Sequence, residues 1–319
     1  MKKNVKVAAV QMESAQGDKG ANLATVRDLA AQAAAAGVEI AVFPECCLTG
    51  YWFLRRLSEP EMRDLAEPAF DGPCAVELLA MSRQLGMSIG AGLVEAGEDG
   101  RFYNTYLFAM PDGGIRRHRK IHAFESEFIS AGSEFTVFDT PHGCRVAILI
   151  CYDVNLLENV RISALAGADV ILAPHQTGGC RTRNPHLMGV IERSVWDNRH
   201  ADPQGIEREL LGEKGRGWLM RWLPSRAHDN GVFLVFSNGV GVDDDEIRTG
   251  NAMVLDPYGR ILAESHKADN DVVIAELDAS LLADSTGRLW MQARRPELYE
   301  ALTRRTGIER DMREVKFSE

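Results

Sequence analysis

The chain has 319 residues, 45% hydrophobic and 26% charged, which is the balance of an ordinary globular protein. Its 36 basic and 46 acidic side chains leave a net charge of −10, which excludes a strongly basic nucleic-acid grip and disfavours an anionic membrane surface. No apolar run reaches the ~18–20 residues that a bilayer span requires.

The start, MKKNVKVAAVQM, has too short an apolar stretch for a secretory leader and reads as an immediate strand. Six cysteines stand at 46, 47, 74, 144, 151 and 180, with no C-x-x-C pair. Reduced thiols and a cytoplasmic location are therefore expected, with neither nucleic acid nor membrane as partner.

In chain order, residues 5–10 read as a strand and 21–36 as an Ala-rich helix stopped by Gly37. Residues 39–43 form a strand ending at Pro44, 75–85 a helix stopped by Gly86, and 88–93 a strand. Segments 105–110 and 114–121 flank a Pro-Asp-Gly-Gly turn and predict a hairpin. Residues 145–150 form an apolar strand running into Cys151, and 185–196 read as a helix. Later strands are expected at 232–237, 252–255, 260–264 and 271–276, before an Arg-rich helical tail.

The second half echoes the first. AGVEIAVFP at 36–44 and AGADVILAP at 166–174 align at a constant offset of 130, and each is preceded by a strand beginning Val-Ala. Two related halves suggest two facing sheets covered by helices, an α/β four-layer α-β-β-α sandwich. Between Trp196 and Arg216 the chain turns polar. Ile206, Leu210 and Leu211 fit one edge of a short helix there, read as a lid over the cleft.

Three strand ends carry reactive side chains: Glu45 after Phe43-Pro44, Lys120 after His118-Arg119, and Cys151 after Ile148-Leu149-Ile150. Strand-end loops are where α/β scaffolds present their chemistry. A structural thiol belongs inside an apolar run, whereas one at its edge is placed to react. Taken singly, each has a bland alternative as a solvated Glu, a surface Lys or a small core Cys.

Together, Phe43-Pro44-Glu45, Arg119-Lys120 and Cys151-Tyr152-Asp153 resemble the Glu-Lys-Cys triad of the nitrilase superfamily of carbon–nitrogen hydrolases. The surroundings are similar as well: Leu48-Thr49-Gly50-Tyr51, Ile121-His122, Glu158, Arg161, Leu165–Asp169, Asn238, Gly250, Asp256–Gly259 and Arg294–Tyr299. The resemblance covers roughly residues 4–300 and implies a hydrolase domain at 4–280. The tail, 281–319, is then expected to pack on a partner subunit in a homodimer or larger even assembly.

The family's second glutamate stands seven residues before a glycine with an aromatic between. Glu125, Phe128 and Gly132 fit, with Glu127 as the competitor. The resemblance implies that Cys151 attacks an amide carbonyl to form a thioester. Glu45 would be the base, Lys120 the oxyanion partner together with the N–H after Cys151, and Glu125 a positioning group. No cofactor or metal is called for. Tyr51, Tyr152, His175, Gln176 and Thr177 are the candidate substrate contacts, the last three occupying the loop that matches Glu45 in the internal repeat.

Tyr152-Asp153 resembles the amidase and carbamoylase branches rather than true nitrilases. Val154-Asn155 stands where carbamoylases often carry arginines, and Leu156-Leu157 replaces a common Phe-Pro. Arg181 or Arg183 could hold a carboxylate instead. The expected activity is a thiol amidohydrolase releasing ammonia from a linear amide or ureido compound. A nitrile hydrolase or an inactive scaffold are the alternatives, the latter disfavoured by the intact Glu45, Lys120 and Cys151 set. His118 and His122 lack metal-site geometry, Cys46 and Cys47 are read as packing, and the glycine pair 178–179 has no nucleotide-loop context.

Overall fold

Alternation along the first strand sets the layering. In β1 (Val5–Met12), Val5, Val7 and Ala9 join one apolar cluster while Ala8, Val10 and Met12 join another. The computed structural model describes residues 1–318. The chain continues through α1 (Lys19–Ala35), β2 (Ile40–Val42), α2 (Glu59–Leu65), α3 (Pro73–Leu85) and β3 (Ser88–Ala96). Next come β4 (Phe102–Ala109), β5 (Ile115–Arg119), β6 (Ile129–Ser130), β7 (Thr136–Asp139) and β8 (Arg145–Ile148). The second half opens with α4 (Tyr152–Asn155), α5 (Leu157–Leu165), β9 (Val170–His175) and α6 (Arg193–Asp197). It proceeds through α7 (Pro203–Leu211), α8 (Arg216–Met220), α9 (Leu223–His228), β10 (Phe233–Asp243) and β11 (Glu246–Thr249). It closes with β12 (Met253–Leu255), β13 (Ile261–Glu264), β14 (Asp271–Leu277), α10 (Ser280–Ala283), α11 (Thr286–Gln292) and α12 (Met312–Ser318).

One sheet runs β5-β4-β3-β2-β1, with β14 antiparallel along β1. The other runs β10-β9-β8-β7, with β12 and β13 on the far side of β10. They meet where β1 pairs with β10 at Gln11–Asn238 and Met12–Gly239. Between the sheets lies one cluster that takes Ile40 and Phe108 from the first and Ile148, Leu172 and Val235 from the second. Helices α1 and α3 cover the outside of the first sheet, and α5, α8 and α9 cover the second. The result is the four-layer α-β-β-α sandwich.

The internal repeat is physical. Ile40 and Val42 face the inter-sheet cluster, and so do their counterparts Val170 and Leu172, while Ala41 and Ile171 face outward. Each preceding helix ends at a glycine in the left-handed region, Gly37 at φ 77° and Gly167 at φ 92°.

Two expectations change. The helix read over 185–196 is reduced to Arg193–Asp197, because Met188 (φ 27°) and Gly189 (φ 111°) break it into a loop. The polar segment that follows does form a helix, α7, docked by Ile206 and Leu210. It rests on Val240 and Ile247 of the β10–β11 ribbon, together with Ile191 and Trp196, rather than lying over the cleft. After an exposed stretch over 296–310, α12 returns and Arg313 Nη1 donates to the carbonyls of Ser126 (3.2 Å) and Glu127 (2.9 Å). Glu319, the end of the expected tail, lies outside the described residues.

Candidate active site

Glu45 leaves β2 just past Phe43, whose amide still pairs with Gly90 of β3. The neighbouring strand approaches so closely that a Cβ on Gly92 would lie 2.3 Å from the Cys46 nitrogen, so only glycine fits there. Lys120 follows β5, its amide donating to the Asn104 carbonyl of β4 at 2.8 Å. Gly132 crosses behind it, donating to the Lys120 carbonyl at 2.7 Å, and a Cβ there would sit 2.3 Å from the Arg119 oxygen. That contact is the physical reason for a glycine at this spacing.

The side chains of Glu45, Lys120 and Glu125 meet in a fully buried cluster. Lys120 Nζ donates to Glu45 Oε1 at 2.7 Å and also to Glu125 Oε1. Asn104 Nδ2 donates to the same Glu45 oxygen at 2.7 Å, and Gln176 Nε2 donates to the Glu45 carbonyl at 2.9 Å. The second carboxylate oxygen of Glu45, Oε2, is buried without a hydrogen-bond partner. Burial pushes the Glu45 carboxyl well above the usual range, a charge on Cys151 pushes it further, and Lys120 opposes both. Burial also disfavours the Lys120 ammonium, but the Glu125 and Glu45 carboxylates outweigh it and hold the proton on. Glu127 is exposed and takes no part in the cluster, so the choice between the two glutamates falls on Glu125.

Cys151 sits on a sharp turn between β8 and α4 with φ 49° and ψ −106°, a conformation that costs about 1–3 kcal/mol for a non-glycine residue. Its amide donates to the Pro174 carbonyl of β9 at 2.9 Å, and its carbonyl accepts from Val154 at 3.0 Å. Asp153 ties this turn to the lysine. The buried carboxylate accepts from the amides of Ile150 (3.2 Å), Ile121 (3.2 Å) and His122 (2.8 Å), and from His122 Nδ1 at 2.8 Å. His118 Nε2 lies 3.7 Å from its other side. Burial would raise the Asp153 carboxyl, yet the His118 and His122 contacts hold it well below the usual range. The two histidines thus serve this carboxylate.

Cys151 is 7% exposed and is the one member of the set that reaches a cavity of about 230 Å³. Tyr51, Trp52, Tyr152, His175, Gln176 and Thr177 all line that cavity. Cys46 and Cys47 do not, and burial raises both thiols, that of Cys47 to about 12. Burial depresses His175 to about 3, and neither of its ring nitrogens has a partner. Arg181 lines the cavity, whereas Arg183 belongs to a neighbouring surface groove.

Several lining residues escape sequence reasoning. Glu246 and Arg248 arrive on β11, a strand the sequence analysis does not place, and Leu187, Met188 and Trp218 come from the segments flanking the insertion. Lys316 reaches the mouth from α12. Charges at alternate positions around Ile247 were the available signal, since they put Glu246 and Arg248 on one face of a strand.

A family model for carbon-nitrogen hydrolases matches residues 6–285. An (R)-stereoselective amidase from a Pseudomonas species is 31% identical over 283 residues, covering 87% of this chain and 86% of the relative. A nitrilase from Pyrococcus abyssi is 28% identical, covering 87% and 91%. Among solved structures, an amidase from Nesterenkonia sp. AN1 superposes with a TM-score of 0.69 at 20% identity, covering 94% of this chain and 97% of that one. The chain therefore belongs to the carbon–nitrogen hydrolase family, within the nitrilase superfamily.

Proposed function

We propose that this protein is a thiol amidohydrolase that cleaves the C–N bond of a linear amide or N-carbamoyl compound through a Cys151 thioester and releases ammonia. The observation that carries the reading is Glu45 Oε2, a buried carboxylate oxygen without a hydrogen-bond partner, on a carboxylate that feels the charge of Cys151, the member of the cluster that reaches the cavity. A free thiol with a pKa of about 8.5 is mostly protonated at neutral pH, so attack needs a base. The raised Glu45 carboxyl is suited to that role, since it holds a proton more avidly than an ordinary carboxylate.

The steps follow from the contacts. Glu45 takes the thiol proton as sulfur attacks the carbonyl carbon, and negative charge develops on the carbonyl oxygen. Lys120 and the backbone N–H after Cys151 face that charge; losing one such donor typically costs about 10²–10³ in rate. Glu45 returns the proton to the leaving nitrogen and ammonia departs. It then takes a proton from the water that attacks the thioester carbon, and passes it to the Cys151 sulfur as the C–S bond breaks and the acid is released. Glu125 holds Lys120 in place and orients the substrate nitrogen.

The 31% identical amidase supports this reading over the scaffold alternative. We extend it to a cytoplasmic homodimer or larger even assembly, formed through the exposed apolar surface of α5 and the segment after α11. The test is ammonia release across amides, N-carbamoyl amines and nitriles, with mass spectrometry of the protein during a slow turnover. The expected result is amide or carbamoyl hydrolysis, an acyl adduct on Cys151, and no turnover by a folded Cys151→Ala variant. An adduct on Cys46 or Cys47, or turnover of nitriles alone, would overturn it.

A further inference from the structure

The cavity wall holds a buried cation that the amide chemistry does not use. The Arg248 side chain is 1% exposed. Its Nε donates to Asp243 Oδ2 at 2.7 Å, and its Nη1 meets Cys180 Sγ at 2.8 Å and Glu246 Oε2 at 2.9 Å. Its Nη2 is buried without a partner. A guanidinium carries five donors and keeps its charge, so an unmatched pair of N–H groups in a cavity wall is a site for an acceptor.

Two further observations say which acceptor. Among the described residues, Arg181 and Arg248 line the cavity together with a single carboxylate, Glu246. Glu246 Oε1 accepts from the Arg181 amide at 2.6 Å, and its Oε2 lies 2.9 Å from Arg248 Nη1 as an ion pair without a hydrogen bond. The Tyr51 ring then relates this cation to the catalytic cluster: Lys120 Nζ lies 5.8 Å from its centroid and the Arg248 guanidinium carbon 5.4 Å, so the two cations are no farther apart than the sum of those distances. Arg248 and Cys151 line the same cavity, so one short substrate can meet both.

We propose that Arg248 receives a carboxylate carried on the acyl chain of the substrate, so that the preferred amides are anionic. The inference rests on the amidohydrolase reading for its second half only; the carboxylate site itself is independent of turnover. Arg–carboxylate pairing is commonly bidentate and directional, which would also fix which end of the substrate reaches Cys151.

The test therefore has two arms. In the first, ammonia release is compared for glutaramate against pentanamide and for succinamate against butyramide. The carboxylated member is expected to show at least 10-fold higher kcat/KM. Arg248→Gln, with Arg248→Lys as the milder change, is expected to bring that ratio toward unity, mainly through KM. In the second, binding of glutarate and pentanamide to Cys151→Ala protein is measured by calorimetry, with glutarate expected to bind at least 10-fold tighter and to lose the advantage in Arg248→Lys. Equal kcat/KM within each pair, with ammonia released, overturns the inference and leaves the amidohydrolase standing. No turnover of any amide, with glutarate still preferred through Arg248, keeps the carboxylate site and removes the amidohydrolase. If both Arg248 variants fail to fold, the wild-type pair and the calorimetry decide alone.

Discussion

Glu45 and Asp153 are both fully buried carboxylates, yet their surroundings push them in opposite directions. Glu45 is raised because burial, with a charge on Cys151 acting in the same direction, outweighs Lys120. The acid limb of kcat/KM should therefore lie above the ordinary glutamate value of about 4.3, with Glu45→Gln losing about 10²–10⁴ in rate. A limb at or below that value would remove Glu45 as the base. Asp153 is lowered, since burial is outweighed by its histidine contacts, so its stabilisation is full above the unfolded value of about 3.9 and is lost as pH falls toward the folded one. Asp153→Asn leaves two of the four donors facing an amide NH2, whichever oxygen it replaces, and breaking a buried charge set of this kind typically costs about 3–5 kcal/mol. Urea unfolding should show that loss at neutral pH and a shrinking difference from wild type below pH 4. A pH-independent difference would mean that the carboxylate's charge is not what ties the turn.

At the scale of elements, the insertion shows where pattern reading stops. The spacing of Ile206 and Leu210 marks the apolar edge of α7, because that is local geometry. Its docking partners, Val240 and Ile247, lie on a ribbon whose pairing (Val240 with Thr249, Val242 with Ile247) no local pattern reports. The same division runs through the site. Glu45, Lys120 and Cys151 each follow a strand, but it was the resemblance of their motifs to a known family that singled them out, and the same resemblance that pointed to Glu125 through its distance to Gly132. Asn104 and Arg248 act across folded distance: one reaches Glu45 from β4, the other enters on β11. Since α7 backs the strand that carries Glu246 and Arg248, loosening it should be felt in the cavity. Leu210→Ala is expected to cost about 2–5 kcal/mol and to raise KM for the substrate in the same measurement. An unchanged KM in the destabilised variant would show that β11 keeps its position without α7.

The whole molecule leaves one face unfinished. Leu157, Ile162 and Leu165 of α5 are exposed, as are Trp290 of α11 and Tyr299 and Leu302 beyond it, and all six line one groove. Monomers rarely leave a contiguous patch of this kind bare. Its rim carries both signs, Glu158 and Glu300 with Arg161 and Arg294, so the surface can complement a two-fold copy of itself, arginine against glutamate. A second copy of this chain is the occupant we infer. The consequence reaches the chemistry, because α5 is separated from the Cys151 turn only by the four residues of α4 and by Leu156. Packing α5 between two sandwiches would steady the strained nucleophile, whereas a free α5 leaves it supported from one side. Light scattering at micromolar concentration should give a dimer or a larger even assembly for wild type and a monomer for Ile162→Asp combined with Leu302→Asp, with kcat falling more than KM rises. A monomeric wild type with full activity would show that the face serves something else and that the turn at Cys151 needs no partner.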